Sequence, residues 1–321
     1  MTGDVDVLIV GAGPCGLYAA YYAGFRGMSV ALVDSLAMPG GQVTAMYPEK
    51  LIYDIAGFPA VKGRDLVEAL VEQAGQFQPT YLLGRQACDL VDRGSWFEVG
   101  LGDGTAVRAS AVLVTAGMGG FSPRPLPAGE GWDGRGLVFF VTKPDAHTDQ
   151  DVVIVGGGDS AFDWALALQP VARSVTLVHR RSTFRAHAAT VARVRDLGAQ
   201  IITGAQVTEL RGEHQVSECE ILTDDGDRSV QPAQAVVAAL GFLADLGPIQ
   251  SWGLDTSSRN IVVDSRMRTS RDRVFAAGDV ADYPGKVKLI ATGFGEAATA
   301  INNIAVELDP RAHLFPGHSS N

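Results

Sequence analysis

The sequence predicts an α/β protein of two domains in which parallel strands alternate with helices. Three observations lead to this fold class. The chain has 321 residues, enough for two domains of ordinary size, and 46% of them are hydrophobic, which supports sizeable cores. A unit of apolar strand, glycine-rich turn, helix and second strand occurs twice. Glycine-containing passages border the second copy on both sides.

The first copy of this unit lies at the N-terminus. Its predicted elements are a strand at 6–10, a helix at 17–23 and a strand at 29–33. The turn carries three glycines, Gly11, Gly13 and Gly16, and the second strand ends in Asp34. Backbone N–H groups at such a helix start bind a pyrophosphate, and an acid about 20 residues on accepts hydrogen bonds from a ribose. We therefore expect a Rossmann-like domain that binds FAD or NAD.

The second copy has the same spacing but a basic end. The strand from 151 runs into Gly156-Gly157-Gly158, a helix follows from Ser160, and the strand 175–178 ends in His179-Arg180-Arg181. Gly11 to Asp34 spans 23 positions, and Gly156 to His179 spans 23 as well. Cationic groups suit a ribose 2′-phosphate. The second copy is expected to bind NADPH through Gly156, Gly158, His179, Arg180 and Arg181. The alternative is that the arginines are solvated charges at a strand end.

The rest of the chain completes both domains. The first domain has a loop at 35–42, a helix at 63–76 and strands at 81–83, 87–91, 96–99, 107–108 and 111–115. The second has a helix at 191–197 and strands at 201–203, 207–210, 218–222 and 235–240. A strand at 274–280 and an Ala-rich helix from about 289 return to the first. We thus expect a first domain of 1–116 and 244–321 with the second, 117–243, inserted into it.

Two further features favour an aromatic cofactor in the first domain. Asp279 follows a strand end and precedes a helix, where a carboxylate can bind a ribityl hydroxyl, and the helix start can polarise a flavin carbonyl. Tyr and Phe residues between 47 and 59 are flanked by Pro and Gly. These aromatic side chains either pack over the core or stack on the cofactor.

Composition excludes several classes of function. Cys15, Cys88 and Cys219 form no CxxC or ligand-spaced pair, so neither a disulfide framework nor a metal site is indicated. A net charge of −10 and a pI near 5.0 argue against nucleic-acid binding. The chain contains no run of 18 or more apolar residues and begins with a strand, so we expect no membrane span and a cytoplasmic location.

The whole chain resembles the thioredoxin-reductase-like ferredoxin (flavodoxin)–NADP⁺ reductases, which are homodimeric flavoproteins. The motifs that carry the resemblance are GGQ at 40–42, YPEKLIYDIAGFP at 47–59, GGGDSAFDWAL at 156–166, HRRSTFRAH at 179–187 and AAGDVADYPGKVKLIATGFGEAATA at 276–300. The resemblance implies that NADPH passes a hydride to flavin N5, and that single electrons then go to ferredoxin or flavodoxin. It implies no acid–base catalytic residue, since the cofactor carries the chemistry.

The same resemblance implies individual contacts. FAD would be contacted by Asp34, Gln42, Tyr47, the backbone of Ala87, Phe121, Asp279 and Ser320. Tyr47 would stack on the isoalloxazine, and His318 with Ser320 would reach the flavin of the other subunit. Ser160 would join the pyrophosphate site and Arg185 the 2′-phosphate site.

Three other functions are alternatives to a ferredoxin reductase. A thioredoxin reductase needs a CxxC shortly before the second glycine turn, and residues 138–150 contain no cysteine. An NADPH diaphorase or oxidase using quinone, free flavin or oxygen has no distinguishing local motif. A non-catalytic redox sensor would bind the same nucleotides without turnover. An acidic ferredoxin would also need basic residues on this acidic chain, for which Lys50, Lys62, Arg64 and Arg124 are candidates.

Overall fold

The computed structural model describes residues 4–120, 122–243 and 245–317. The chain divides into two compact units, one of Met1–Phe121 with Ala244–Asn321 and one of Ser122–Leu243. The first boundary therefore lies five residues later than the expected 116/117. The reason is local: the Gly120 N–H donates to the Asp245 carbonyl at 2.7 Å, and the Asp245 N–H donates to that of Met118 at 3.1 Å. These bonds keep the segment before Phe121 with the first unit.

The described residues form short strands and six α-helices. The strands are β1 (Asp4–Val10), β2 (Val30–Asp34), β3 (Leu51–Ile52), β4 (Val61–Lys62), β5 (Thr80–Leu83), β6 (Ala87–Asp92), β7 (Phe97–Leu101), β8 (Ala106–Val114), β9 (Ser122–Pro123), β10 (Leu137–Val138), β11 (Asp151–Val155), β12 (Ser174–His179), β13 (Gln200–Thr203), β14 (Ala205–Gly212), β15 (Val216–Thr223), β16 (Arg228–Pro232), β17 (Ala235–Ala238), β18 (Phe242–Leu243), β19 (Thr256–Ser257), β20 (Asn260–Val262), β21 (Val274–Ala276) and β22 (Ala281–Asp282). The helices are α1 (Pro14–Phe25), α2 (Gly41–Met46), α3 (Gly63–Gly75), α4 (Asp159–Leu168), α5 (Ala188–Asp196) and α6 (Ile290–Leu308).

The first unit is built on a seven-stranded sheet. Its order is β5-β2-β1-β8-β7-β6, with β21 also paired to β8. Strands β5, β2, β1, β8 and β21 are parallel, whereas β7 and β6 extend the sheet antiparallel. The strands predicted at 107–108 and 111–115 are one strand, β8. Ala106 to Ala109 pair with β7, and pairing with β1 already begins at Arg108, so the two pairings overlap; no glycine or proline interrupts the strand.

The second unit repeats the parallel part of this plan. Its sheet has the order β13-β12-β11-β17-β10, all parallel, which corresponds strand for strand to β5-β2-β1-β8-β21. A separate antiparallel sheet, β14-β15-β16, shares a core with it, in which Val153 and Val236 join Val207 and Ile221. Strand β16 was not predicted, because four of its five residues are polar or proline. The fold class of two Rossmann-like, three-layer units is confirmed.

The chain enters and leaves the second unit side by side. Strand β9 pairs antiparallel with β18, and Ser122 lies opposite Leu243. The second unit is therefore an insertion, as predicted. Among the helices of the described ranges, none combines the length and the apolar character that crossing a bilayer requires.

Candidate functional site

The main cleft of the first unit lies at the carboxyl ends of its parallel strands. Because β1 has β2 on one side and β8 on the other, this is the point where the strand order reverses and where ligands bind in open α/β sheets. The cleft, together with the open solvent at its mouth, takes up about 1110 Å³. Seven of the predicted FAD-binding residues line this cleft: Gly11, Gly13, Asp34, Gln42, Tyr47, Ala87 and Asp279.

The glycine turn brings α1 close to β1. Gly11 has a φ of +112°, and a Cβ there would lie 2.5 Å from the Thr115 carbonyl oxygen. Gly16 does not line the cleft; a Cβ on it would lie 1.9 Å from the Gly11 carbonyl oxygen. Its part is therefore close packing. The Thr115 hydroxyl, which sequence reasoning missed, donates to the Gly11 carbonyl at 2.7 Å and holds the turn.

Asp34 is fixed at the end of β2 by the same turn. Its Oδ2 accepts the Ala12 N–H at 2.7 Å, and its Oδ1 accepts the Leu36 N–H at 2.8 Å. Burial raises the pKa of the carboxyl, and these two backbone hydrogen bonds oppose the rise. The side chain is thus held rigidly in the cleft wall with lone pairs left for a hydroxyl donor.

Asp279 lies in the short helical turn Gly278–Val280 after β21, and a side chain of α6 anchors this turn. Gly278, with a φ of +80°, donates its N–H to Glu296 Oε2 at 2.7 Å. Glu296 is buried, accepts the Tyr283 hydroxyl at 2.6 Å and forms an ion pair with buried Lys286. Burial raises the pKa of Asp279. Glu296 was missed, although an isolated acid in the Ala-rich helix motif was a signal.

Helix α2 places Gln42 at the cleft. The loop expected over 35–42 ends early, because Gly40 and Gly41 have positive φ values of 107° and 55° and turn the chain into the helix. The Gly40 N–H donates to the Ala12 carbonyl at 2.8 Å, which ties the turn to the first glycine loop. Gln42 consequently sits in the first turn of α2.

Tyr47 is the aromatic residue of the cleft. Burial, followed by the nearby charge of Asp279, raises the pKa of its phenol to about 12, so the ring stays neutral. Tyr53 and Phe58 are 66% and 48% exposed, so they do not pack over the core. Phe121, His318 and Ser320 lie outside the described residues.

The glycine turn of the second unit matches that of the first. The Gly156 N–H donates to the Val178 carbonyl at 3.0 Å, as the Gly11 N–H does to that of Val33 at 2.8 Å. His179 therefore occupies the position that Asp34 has in the first unit. Gly158 is the N-cap of α4, and Ser160 lies exposed in the first turn.

Residues 180–187, here called the arginine loop, fold back over this turn. The Arg185 N–H donates to the Gly157 carbonyl at 2.9 Å, and the Phe184 ring packs edge-on against Phe162 with centroids 4.9 Å apart. Arg180, Arg181 and Arg185 are exposed. Within the part of the chain that the structure describes, none of their guanidinium groups forms an ion pair, which leaves three donors for an anion.

The surroundings of His179 disfavour a positive charge on its ring. Its ring packs on Gly157, where a Cβ would lie 2.3 Å from it, and its Nε2 is 3.2 Å from the Thr183 carbonyl oxygen. Burial lowers the pKa of His179, and the three neighbouring arginines lower it further. The cationic end predicted at 179–181 stays a prediction, in which the arginines carry the permanent charge.

Two of the basic residues considered for docking are already paired. Lys62 Nζ and Arg64 Nη1 lie 3.2 and 2.9 Å from the two carboxylate oxygens of Glu49. Arg64 also contacts Asp65 at 3.2 Å. These two side chains do not form the free basic patch that the sequence suggested.

The first cleft fits an extended flavin nucleotide. Glycines at the α1 start leave room for a pyrophosphate, Asp34 can accept from a ribose, and Asp279 can accept from a polyol. Tyr47 and the start of α6 line the same cleft. The neutral ring of Tyr47 could stack on a flavin, and the N–H groups at the start of α6 could bind a polar atom of the flavin ring. The second turn, with three unpaired guanidinium groups, fits a dinucleotide that carries an extra phosphate.

Comparison with known proteins agrees with this geometry. The pyridine nucleotide-disulphide oxidoreductase family matches residues 5–303. A ferredoxin–NADP reductase of Saccharopolyspora erythraea is 68% identical over 99% of this chain and 98% of its own length. One from Nocardioides is 65% identical over 99% and 97%.

Solved structures give the same fold. The thioredoxin reductase of T. acidophilum superposes with a TM-score of 0.83 and 26% identity, covering 96% of this chain and 99% of its own. The three cysteines here are unpaired, however, and none lies between 138 and 150. The chain belongs to the pyridine nucleotide-disulphide oxidoreductase family and, within it, to the thioredoxin-reductase-like ferredoxin–NADP reductases.

Proposed function

We propose that this protein is an FAD-dependent ferredoxin–NADP reductase that moves electrons between NADPH and ferredoxin. The observation that carries the proposal is the pair of matched turns. The same register position is a carboxylate in one unit and the start of an arginine cluster in the other, so the two units select different dinucleotides. The high identity to curated reductases supports the reaction.

In the first unit, Gly11 and Gly13 open the α1 start to the pyrophosphate of FAD. Asp34 accepts from the adenosine ribose, with Ala87 beside the adenine, while Gln42 and Asp279 bind the ribityl end. Tyr47 covers the ring and limits water access. When bound, FAD supplies a two-electron acceptor for hydride and a one-electron donor for the acceptor protein.

In the second unit, Gly156, Gly158 and Ser160 hold the pyrophosphate of NADPH at the start of α4. His179, Arg180, Arg181 and Arg185 hold the 2′-phosphate, with the arginines supplying the permanent positive charge. No side chain needs to transfer a proton to the nicotinamide. The protein's contribution is to bind and orient the two cofactors.

We also propose flavodoxin as an alternative acceptor, a cytoplasmic location and a homodimer. The resemblance to the family, whose members are homodimers, supports the homodimer. In such a dimer His318 and Ser320 would reach the flavin of the other subunit.

Anaerobic mixing of the purified yellow protein with NADPH tests the proposal. We expect the visible flavin absorbance to bleach, and then to recover on addition of oxidised ferredoxin. No bleaching would leave a non-catalytic nucleotide sensor. Bleaching that only quinone, free flavin or oxygen reverses, with ferredoxin and flavodoxin inert, would identify a diaphorase or oxidase instead.

A further inference from the structure

A single side chain ties the end of the arginine loop to the second glycine turn. Asp159 is the first residue of α4, and its Oδ1 accepts the backbone N–H of His187 at 3.0 Å. His187 is the N-cap of α5, whose first turn contains no acidic residue. The Asp159 carboxylate therefore lies at the positive ends of two helices, both of which favour its charge.

Three other contacts hold the loop: a backbone hydrogen bond, an apolar ring contact and a contact with the His179 ring. The Arg185 N–H holds the Gly157 carbonyl at 2.9 Å, and Phe184 packs on the fully buried Phe162. The Thr183 carbonyl faces the His179 ring at 3.2 Å. Replacing Asp159 would therefore remove the hydrogen bond at the end of the loop and leave the Phe184–Phe162 contact in place.

We propose that Asp159 is a positioning residue for recognition of the 2′-phosphate. By capturing the His187 N–H it fixes the end of the arginine loop, so that Arg181 and Arg185 are ordered before the nucleotide arrives. A loop ordered in advance loses less conformational entropy on binding, and affinity rises accordingly. The inference rests on the proposed NADPH site and names the residue that organises its selectivity.

A different role for Asp159, repulsion of the pyrophosphate, would change nucleotide binding in a different way. Asp159 is also one residue from Gly158, where the pyrophosphate is expected, and its charge could simply repel that group. In that case removal of the carboxylate would strengthen NADPH and NADH binding by the same factor, since both carry a pyrophosphate. Positioning of the loop predicts an effect on NADPH alone.

The test compares Asp159→Ala and Asp159→Asn in the FAD-loaded protein. Adenosine 2′-monophosphate binding is measured by calorimetry, and the ratio of kcat/KM for NADPH to that for NADH by kinetics. Asp159→Ala should weaken the 2′-monophosphate and lower the ratio by about five- to tenfold, the effect of one lost hydrogen bond. Asp159→Asn keeps an acceptor oxygen and should stay within about twofold of the wild type. Asp225→Ala, which removes an exposed acid from the β15–β16 turn, should change neither value.

Three outcomes overturn the inference: equal changes for NADPH and NADH, unchanged 2′-monophosphate affinity in Asp159→Ala, or an Asn variant as impaired as the Ala variant. Thermal unfolding separates lost selectivity from lost folding, because partial unfolding lowers activity with both nucleotides alike. A wild-type protein that does not oxidise NADPH would overturn the proposed function instead, and the calorimetric result would still decide the part played by Asp159.

Discussion

The two dinucleotide-binding turns differ in the residue at one equivalent position. Asp34 and His179 each directly follow the strand residue that accepts the first glycine N–H of the turn. In the first unit, two backbone N–H groups hold the carboxylate. In the second, the imidazole packs on Gly157, burial lowers its pKa, and three arginines follow it in the chain. Selectivity for the 2′-phosphate is therefore concentrated in a few exposed side chains.

Arg180→Ala and Arg181→Ala should each raise the KM for NADPH by about 10- to 100-fold, since a charge-assisted contact contributes about 1.5–3 kcal/mol. The KM for NADH should hardly change, because NADH lacks the 2′-phosphate. Steady-state kinetics with both nucleotides measures the difference, with Arg193→Ala on α5 as a control for loss of charge. Equal increases for the two nucleotides would show that these arginines do not read the phosphate.

Asp279→Asn should have opposite effects on stability and on cofactor binding. Burial raises the folded-state pKa of Asp279 above 3.8, so ionisation costs the fold stability as the pH rises through that pKa. The apoprotein variant should be more stable than the wild type at pH 7, and the gap should narrow toward pH 4. FAD affinity should fall about 10-fold or more, because a charge-assisted hydrogen bond is lost. Denaturant titrations of apoprotein at both pH values and flavin-release measurements give the two effects; a less stable variant at pH 7 would contradict the first.

The first turn of helix α1 packs closely against the glycine turn that follows β1. A Cβ on Gly16 would meet the backbone oxygen of Gly11, which has no side chain that can move aside. Gly295, in the interior of α6, is exposed and has no atom within 4 Å of its Cβ position. Gly16 is therefore required because a side chain would not fit there. Gly295 has room for a side chain and only weakens helix α6.

Gly16→Ala should destabilise the protein by about 3 kcal/mol and release FAD, since overpacking must displace α1. Gly295→Ala should instead stabilise it by about 0.5–1 kcal/mol. Chemical denaturation of the two variants, followed by circular dichroism, gives both free energies. A Gly16→Ala variant as stable as the wild type would mean that α1 can shift at little cost.

The sequence predicts some elements better than others for physical reasons. Strands and helices of the two glycine turns were placed within two to three residues, because apolar runs and glycines mark their limits. The division of β8 was wrong because the pairing with both β7 and β1 is a tertiary effect. Likewise Thr115, Asp159 and Glu296 were missed as site residues. Thr115 meets Gly11 from 104 positions away, a contact that local patterns do not reveal.

At the scale of the whole molecule, the net charge of −10 opposes an acidic partner. Lys62 and Arg64, which the sequence suggested as docking residues, are balanced by the charges of Glu49 and Asp65. Long-range attraction of ferredoxin is therefore not expected from this part of the surface. We therefore expect short-range contacts to contribute more to ferredoxin recognition than long-range attraction does.

The rate of reduction of an acidic ferredoxin should accordingly rise, or stay level, as ionic strength increases to about 0.1 M, where charges are screened beyond about 10 Å. Stopped-flow measurements over a salt series test this, with a small uncharged quinone as the control acceptor. A rate that falls steeply with salt for ferredoxin alone would reveal a basic docking patch.

Because β9 and β18 pair antiparallel, the second unit can be replaced as one segment of the chain. Ser122 and Leu243 face each other, and paired strands lie about 4.8 Å apart. Gly120 and Asp245 are likewise joined by a 2.7 Å hydrogen bond in the other unit. The inserted segment thus begins and ends at one place, so it can be excised and closed with a short turn, or exchanged for the corresponding segment of a relative. A chimaera made at this junction would change nucleotide preference while leaving the flavin cleft's own chain connections intact.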